Sequence, residues 1–141
     1  MSSISVPIKL VNLQDDGFHL LVEIVVFKQS VLAVLDTGAS RSVFDEAFVR
    51  QHIGDLEPTI ETEATTLFST SSTFLILIPR IKIGRLKLKD YHAVALNLEA
   101  VNLAYANLGL PPVVGIIGSD LLLKYGGVIN YRKMKLYLKR I

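Results

Sequence analysis

The sequence contains no cysteine and no tryptophan. The lack of cysteine excludes disulfide frameworks, thiolate metal sites and cysteine nucleophiles. The most apolar stretch, residues 18–35, is interrupted by charged and amide side chains, whereas a membrane-spanning helix needs about twenty nearly unbroken apolar residues. The first ten residues, MSSISVPIKL, lack the basic and apolar regions of a signal peptide. We therefore expect a soluble protein with no membrane partner and, by default, a cytoplasmic location.

Charge and histidine are also sparse. The formal net charge is only +2, which argues against a dedicated nucleic-acid binder. The three histidines, His19, His52 and His92, are far apart and show no metal-ligand spacing. The glycine spacing of residues 115–119 fits neither a phosphate-binding loop nor a nucleophile elbow. We therefore expect no metal, no cofactor and no nucleic-acid partner.

The composition that is present favours one mostly β domain spanning residues 1–141. Half of the residues are hydrophobic, which is enough for a proper core, and short runs of Val, Ile, Leu and Thr alternate with turn signals. These runs predict strands at residues 4–13, 18–27, 30–35, 59–68, 73–83, 86–98, 113–117, 128–131 and 135–139. Helices are predicted at residues 45–51, 99–108 and 119–124, the first capped by Asp45 and the last by Ser119 or Asp120.

The triplet Asp36-Thr37-Gly38 is the first candidate for chemistry, because it ends an apolar strand and begins a loop. A buried strand that ends in this way can present a carboxylate at a cleft. Thr37 is β-branched, so it holds one rotamer and can give its hydroxyl to nearby backbone. Gly38 has no Cβ atom, so backbone or substrate can approach the carboxylate closely. Taken alone, however, the triplet also fits an ordinary Asp-Gly turn at the end of a strand.

A second segment, Ile116-Ile117-Gly118 followed by Asp120-Leu121-Leu122, changes that balance. Together the two segments resemble the retropepsin-like aspartic peptidases, which pair an apolar-apolar-Asp-Thr/Ser-Gly-Ala/Ser loop with a later apolar-apolar-Gly motif and a short helix. The resemblance extends from about Phe18 to the C-terminal hairpin. It implies a closed acid-protease barrel with one or two short helices, forming half of a twofold dimer.

The resemblance also implies the chemistry, an aspartic endopeptidase acting on polypeptides. In this family two nearby carboxylates share one proton; one activates a water as general base and the other protonates the substrate carbonyl. The chain contains one Asp-Thr-Gly triplet, so a homodimer is the economical way to supply Asp36 twice. Thr37, Gly38 and Ala39 would support the loop, with Thr37 locking the two loops across the axis. Because Ala39 offers no hydroxyl to the carboxylates, we expect activity to reach mildly acidic or near-neutral pH.

The sequence departs from the retroviral members at two places. They commonly carry an Asp–Arg ion pair where Ser40 and Ser119 stand here, and the joint loss of both partners leaves no unpaired charge. Their flap tip is rich in glycine, whereas the corresponding tip here is Phe68, Ser69, Thr70, Ser71 and Ser72. This tip is a candidate flap that closes over substrate, and a solvated β-turn is the alternative. The segment 99–112 is either a surface helix or an extension of the dimer contact.

Three alternative interpretations remain at the level of sequence. Asp120 could be a second acid within the chain, although the family uses this position to cap the following helix. The domain could be an inactive module of the peptidase fold that binds peptides or serves only for dimerisation. Finally, it could be a stable β domain without a site, in which Asp36 merely ends a strand.

Overall fold

The computed structural model describes residues 3–54 and 74–140. In this part of the chain the strands are β1 (Ser3–Pro7), β2 (Lys9–Asn12), β3 (Phe18–Val26), β4 (Gln29–Leu35), β5 (Val43–Asp45), β6 (Phe74–Ile83), β7 (Leu86–Leu96), β8 (Gly115–Ile117), β9 (Val128–Asn130) and β10 (Lys135–Lys139). The α-helices are α1 (Glu46–Ile53), α2 (Glu99–Asn107) and α3 (Ser119–Lys124), and a short 3-10 helix covers Gln14–Asp16. No helix in these two ranges is long and apolar enough to cross a membrane.

Six of the strands close into a barrel in the order β3-β4-β8-β5-β7-β6. The barrel closes where β6 returns to β3, through the pairs Val25–Lys82 and Val26–Ile81. Strand β2 extends the sheet beyond β3, and β1, β10 and β9 form a separate three-stranded sheet. The predicted mostly β, closed architecture is therefore confirmed, and the described residues form three short α-helices where the resemblance implied one or two.

In the β6–β7 hairpin, the residues that point inward change from even-numbered to odd-numbered positions halfway along each strand. Phe74, Ile76 and Ile78 point inward in the first half of β6, but Ile81 and Ile83 are the buried residues in the second half. The change occurs opposite Asp90, which has a φ of 50°, an uncommon conformation for a residue other than glycine. As a result, the buried positions of β7 shift from even to odd numbers after Asp90. A simple alternation over this strand could not predict which side chains face the core.

Helix α2 packs against the outer face of the barrel. Tyr105 is 2% exposed and joins a small second core with Val11, Leu21, Val34 and Val113. The Asn102 side-chain amide pairs with the Val113 backbone in both directions, at 3.0 and 2.8 Å. Burial raises the pKa of the Tyr105 hydroxyl, which lies 2.7 Å from Nδ1 of His19. These contacts anchor the helix predicted at residues 99–108 to the barrel.

Most elements were predicted at the right place, with three differences. The first predicted strand, residues 4–13, is split into β1 and β2, and each part pairs with a different sheet. Strand β5 was not predicted, because three residues between a loop and a helix carry too little pattern. The tight turn after β3 is formed by Phe27 and Lys28, both with positive φ, one residue earlier than expected. The strand predicted at residues 59–68 lies outside the described residues.

Candidate active site

Asp36 lies directly after β4, at the mouth of a tight loop. Its backbone N–H donates to the Ile117 carbonyl oxygen at 3.0 Å, and its own carbonyl oxygen accepts from the Ala39 N–H at 3.1 Å. The carboxylate Oδ1 accepts a hydrogen bond from the Gly38 N–H at 2.9 Å. The Asp36 side chain is otherwise exposed to solvent in the single chain. The loop therefore orients one carboxylate oxygen and leaves the group accessible to water.

The position of β8 explains why the two sequence motifs meet. Strand β8 runs parallel to β4 and antiparallel to β5, so it is inserted between two strands that are neighbours in sequence. The loop of residues 36–42, which joins β4 to β5, must therefore cross over the end of β8. This crossing places Ile117 and Gly118 directly beneath the loop that carries Asp36.

Gly118 forms the floor of this crossing. Its N–H donates to Ser42 Oγ at 3.0 Å, and the next N–H, of Ser119, donates to the Ala39 carbonyl oxygen at 2.8 Å. A Cβ atom at residue 118 would lie only 2.7 Å from the Ala39 carbonyl oxygen and 2.9 Å from that of Arg41. Both obstacles are backbone, which cannot rotate away. Glycine is therefore required here for a close approach of two chain segments.

Replacing Gly118 with alanine is expected to destabilise the domain by about 3 kcal/mol or more, through overpacking and through strain on the two hydrogen bonds. Denaturant unfolding followed by circular dichroism measures this change. Gly109→Ala is the matched control, because a Cβ atom there meets no neighbour but the residue has a φ of +72°. The control should cost only about 1 kcal/mol. Equal losses in the two variants would contradict the proposed clash.

Asp120 does not cap α3, which corrects the sequence-based prediction for Ser119 and Asp120. The N-cap position is occupied by Gly118, without a side-chain capping bond. The Asp120 carboxylate instead accepts hydrogen bonds from the Ser42 hydroxyl and the Tyr91 hydroxyl, each at 2.9 Å. Burial is the main cause that raises the pKa of the Tyr91 hydroxyl, and the hydrogen-bonded Asp120 carboxylate is the second cause. Both carboxylate oxygens of Asp120 are thus engaged inside the protein.

The structure brings the two predicted motifs together but does not extend to the candidate flap. The loop bonds to this second segment through Asp36 to Ile117, through Ala39 to Ser119 and through Ser42 to Gly118. Ile117 is fully buried in the main core, and Ile116 packs on the outer side of the barrel. Phe68, Ser69, Thr70, Ser71 and Ser72 lie outside the described residues.

The histidines lie apart from this loop. His19 contacts Tyr105, and the His52 ring stacks on Phe27 with ring centroids 4.4 Å apart. His92 is exposed on β7. Within residues 3–54 and 74–140, no group of three His, Asp or Glu side chains is arranged to hold a metal ion.

Ser42 and Tyr91 are functional candidates that the sequence analysis missed. Ser42 is fully buried, although it stands between Arg41 and a strand too short to be recognised. Tyr91 faces inward only because the parity of β7 changes at Asp90. The one available signal was Ser42 itself, a small polar residue placed directly before the apolar pair Val43-Phe44.

An apolar surface lies beside the Asp36 loop. A shallow hollow of about 220 Å³ is lined by Thr37, Ser119, Leu122, Leu123, Gly126 and Gly127. On its rim, Leu123 is 85% exposed, and Val128 on the nearby edge strand β9 is 56% exposed. Single exposed apolar residues are ordinary on protein surfaces. Here, however, Leu123 lines the same hollow as Thr37, the residue next to Asp36, and Val128 follows Gly127, which also lines it.

The comparisons with known proteins agree with this geometry. The sequence profile of the family described as aspartyl protease matches residues 22–121. No curated protein matches the sequence. Among solved structures, the fold is similar to a retropepsin-like aspartic protease from Rickettsia conorii, with a TM-score of 0.62 and 18% identity, over 97% of this chain and 90% of that one. It is also similar to the retroviral protease-like domain of Ddi1 from Leishmania major, with a TM-score of 0.57 and 14% identity, over 87% of this chain and 90% of that one.

The family match includes both the Asp36 loop and the segment that ends at Gly118, which are the two parts joined in the structure. The two solved structures are similar to this fold over 97% and 87% of the chain. The chain therefore belongs to the aspartyl protease family, with the fold of its retropepsin-like members.

Proposed function

We propose that this protein is an aspartic endopeptidase that acts as a homodimer, with Asp36 of each subunit forming the catalytic pair. The observation that supports this most directly is the setting of Asp36. Its carboxylate is accessible to water, held at one oxygen by the Gly38 N–H, and mounted on a loop that is bonded to the second motif at Ile117. Exposure with fixed orientation is what an acid–base catalyst requires.

Hydrolysis by this chemistry needs two carboxylates that share one proton. The ionised carboxylate removes a proton from a water, whose oxygen attacks the peptide carbonyl carbon while the protonated carboxyl gives its proton to the carbonyl oxygen. In the resulting tetrahedral diol, the proton taken from the water passes to the peptide nitrogen, one hydroxyl returns a proton to the carboxylate pair, and the C–N bond breaks. Within the described residues, Asp120 is the acid on the second motif, and its two oxygens are occupied by Ser42 and Tyr91. A second copy of Asp36 across a twofold axis supplies the missing acid.

The surface beside Asp36 suits such a contact. In an isologous dimer the same patch meets itself, so Thr37 would face its mate and the exposed Leu123 would be covered. Thr37 would then exchange hydrogen bonds between the loops, and Leu123 and Val128 would add apolar area around the axis. Association would remove from water side chains that contribute little to the core of the single chain.

Extended polypeptides are the proposed substrates, bound between the flaps and the Asp36 pair and held there by β-like main-chain hydrogen bonds. The tip formed by residues 68–72 is the proposed flap that closes over the bound chain. This part of the proposal rests on the sequence alone. Finally, the proposal treats residues 1–141 as one domain, two copies of which make one enzyme.

The proposed function is tested by incubating the purified protein with an unfolded polypeptide over a range of protein concentrations. Cleavage products should appear, and the specific activity should fall on dilution, because half of a catalytic pair has no activity. Sedimentation at the same concentrations should show the dimer dissociating in parallel. A folded dimer that binds the polypeptide but never cleaves it would instead indicate an inactive module of the same fold.

The residue at position 39 should control the pH range of activity. Because Ala39 cannot donate a hydrogen bond, the charged form of the carboxylate pair lacks one source of stabilisation. We therefore expect a rate maximum in mildly acidic or near-neutral solution, and a shift of the profile to lower pH in Ala39→Ser. The measurement is kcat/KM for a fluorogenic peptide between strongly acid and neutral pH. A wild-type maximum confined to strongly acid solution would disprove the interpretation.

A further inference from the structure

Apart from buried tyrosines, Ser42 is the only buried polar or charged side chain in the described part of the chain, with no measurable exposure. Burial of an unpaired hydroxyl is unfavourable, but this one is paired twice. It accepts from the Gly118 N–H at 3.0 Å and donates to Asp120 Oδ1 at 2.9 Å. Ser42 therefore joins the end of the Asp36 loop to the second motif and to the first turn of α3.

The directions of these hydrogen bonds depend on Asp120. A serine hydroxyl has one proton, and an ionised carboxylate can only accept. Because the Ser42 hydroxyl donates its hydrogen bond to Asp120, the lone pairs of the Ser42 oxygen remain available to accept from the Gly118 N–H. The second oxygen of Asp120 accepts from Tyr91 on β7 in the same way. Hydrogen bonds to a charged acceptor are about twice as strong as neutral ones, so a single arrangement is favoured.

The loop of residues 36–42 is held to the segment of β8 and α3 at three points, and the Ser42 carbonyl oxygen also accepts from the Val94 N–H of β7 at 3.1 Å. The Asp36 N–H bonds to Ile117 at one end, the Ala39 carbonyl bonds to the Ser119 N–H in the middle, and Ser42 bonds to Gly118 at the other end. Of these contacts, only the one between Ser42 and Gly118 uses a side chain, and the orientation of the Ser42 hydroxyl depends on Asp120. Through Tyr91 the same carboxylate also reaches the β6–β7 hairpin.

We propose that Asp120 is a positioning residue for the Asp36 carboxylate, acting through Ser42 on the loop and through Tyr91 on the β6–β7 hairpin. This inference rests on the proposed peptidase function for its kinetic consequences. It assigns to Asp120 neither a capping role nor a direct role in catalysis. The structural part of the inference is that Asp120 fixes the loop of residues 36–42, and this part can be tested without any substrate.

Asp120→Asn tests the proposal with the smallest change of shape. An asparagine side chain has one acceptor oxygen and an amide that only donates, so one of the two hydroxyls loses its acceptor. We expect kcat to fall about tenfold to a hundredfold and KM to change by less than about twofold, because Asp120 is not placed against substrate. Tyr91→Phe should lower kcat less, since Ser42 keeps its acceptor.

The double variant Tyr91→Phe/Asp120→Asn should be no slower than Asp120→Asn alone, because residues that act in one network are not additive. Fully additive losses would overturn the proposed coupling. The matched control is Asp45→Asn, since the Asp45 carboxylate also accepts two hydrogen bonds, from the N–H groups of Leu98 at 3.0 Å and Phe48 at 3.4 Å. It should lower stability and leave kcat unchanged. An equal loss of kcat in Asp45→Asn would show that general destabilisation explains the effect, and this result would overturn the proposal.

Amide hydrogen exchange separates this proposal from the proposed function. The N–H groups of Gly118 and Ser119 should exchange about tenfold faster in Asp120→Asn than in the wild type, and at the wild-type rate in Asp45→Asn, under conditions where all three are folded. This result supports the fixing of the loop by Asp120 even if the wild type cleaves no substrate, an outcome that would contradict only the peptidase function. Unchanged exchange at both amides in Asp120→Asn would overturn the inference.

Discussion

Asp36→Asn is expected to abolish the proposed peptide hydrolysis while preserving both the fold and the proposed dimer. Asparagine cannot ionise, so no base remains to activate the water, and a loss of about a thousandfold or more follows from general acid–base contributions. The substitution keeps an oxygen that can accept the hydrogen bond donated by the Gly38 N–H at 2.9 Å. The geometry of the loop should therefore survive, and the loss should appear in kcat.

The same variant provides a direct test of the shared site. If each active site needs one Asp36 from each subunit, a dimer of one wild-type and one Asp36→Asn chain is inactive. Equal mixing with free exchange should then reduce the activity to about a quarter of that of the same total amount of wild type, because about a quarter of the dimers carry two wild-type chains. A residual activity of one half would indicate that each chain works alone, which would contradict the proposed pair.

Leu123→Glu is expected to dissociate the proposed dimer and therefore to remove activity at low protein concentration. Leu123 is 85% exposed, so the substitution should change the stability of the single chain by no more than about 0.5 kcal/mol. In the dimer it would place two carboxylates in an apolar contact beside the axis. A cost of about 2 kcal/mol for each copy, typical of interface hot spots, would weaken dimerisation about a thousandfold.

Leu103→Glu is the matched control for this prediction. Leu103 is also an exposed leucine on a helix, 63% exposed on α2, but α2 packs on the outer face of the barrel. Sedimentation should therefore show an unchanged dimer for Leu103→Glu and a monomer for Leu123→Glu. The opposite pattern would place the dimer contact on α2, as the sequence allowed for residues 99–112, and would refute the surface proposed beside Thr37.

Local sequence patterns were sufficient to predict where the candidate site lies along the chain. An apolar strand that ends in Asp36-Thr37-Gly38 is recognisable within a few residues, and so is Ile117-Gly118 before a short helix. Asp45 was likewise predicted as the cap of α1, and its side chain accepts from the Phe48 N–H. Each of these features depends on residues within about four positions of each other, which is the range over which sequence periodicity and capping act.

The flap is different, since its prediction for residues 68–72 rests on chain order and residue type. It stays a prediction, because those residues lie outside the described part of the chain.

Sequence alone therefore determined the fold class, the two motifs and the single Asp-Thr-Gly triplet that makes one chain half of a proposed site. Only the tertiary structure decided that β8 enters between β4 and β5, and that Asp120 serves Ser42 and Tyr91 instead of capping α3. The physical reason is distance along the chain. The two hydrogen bonds of Asp120 span 78 and 29 residues, and the inward direction of Tyr91 follows from a reversal of strand parity at Asp90 that no local pattern records.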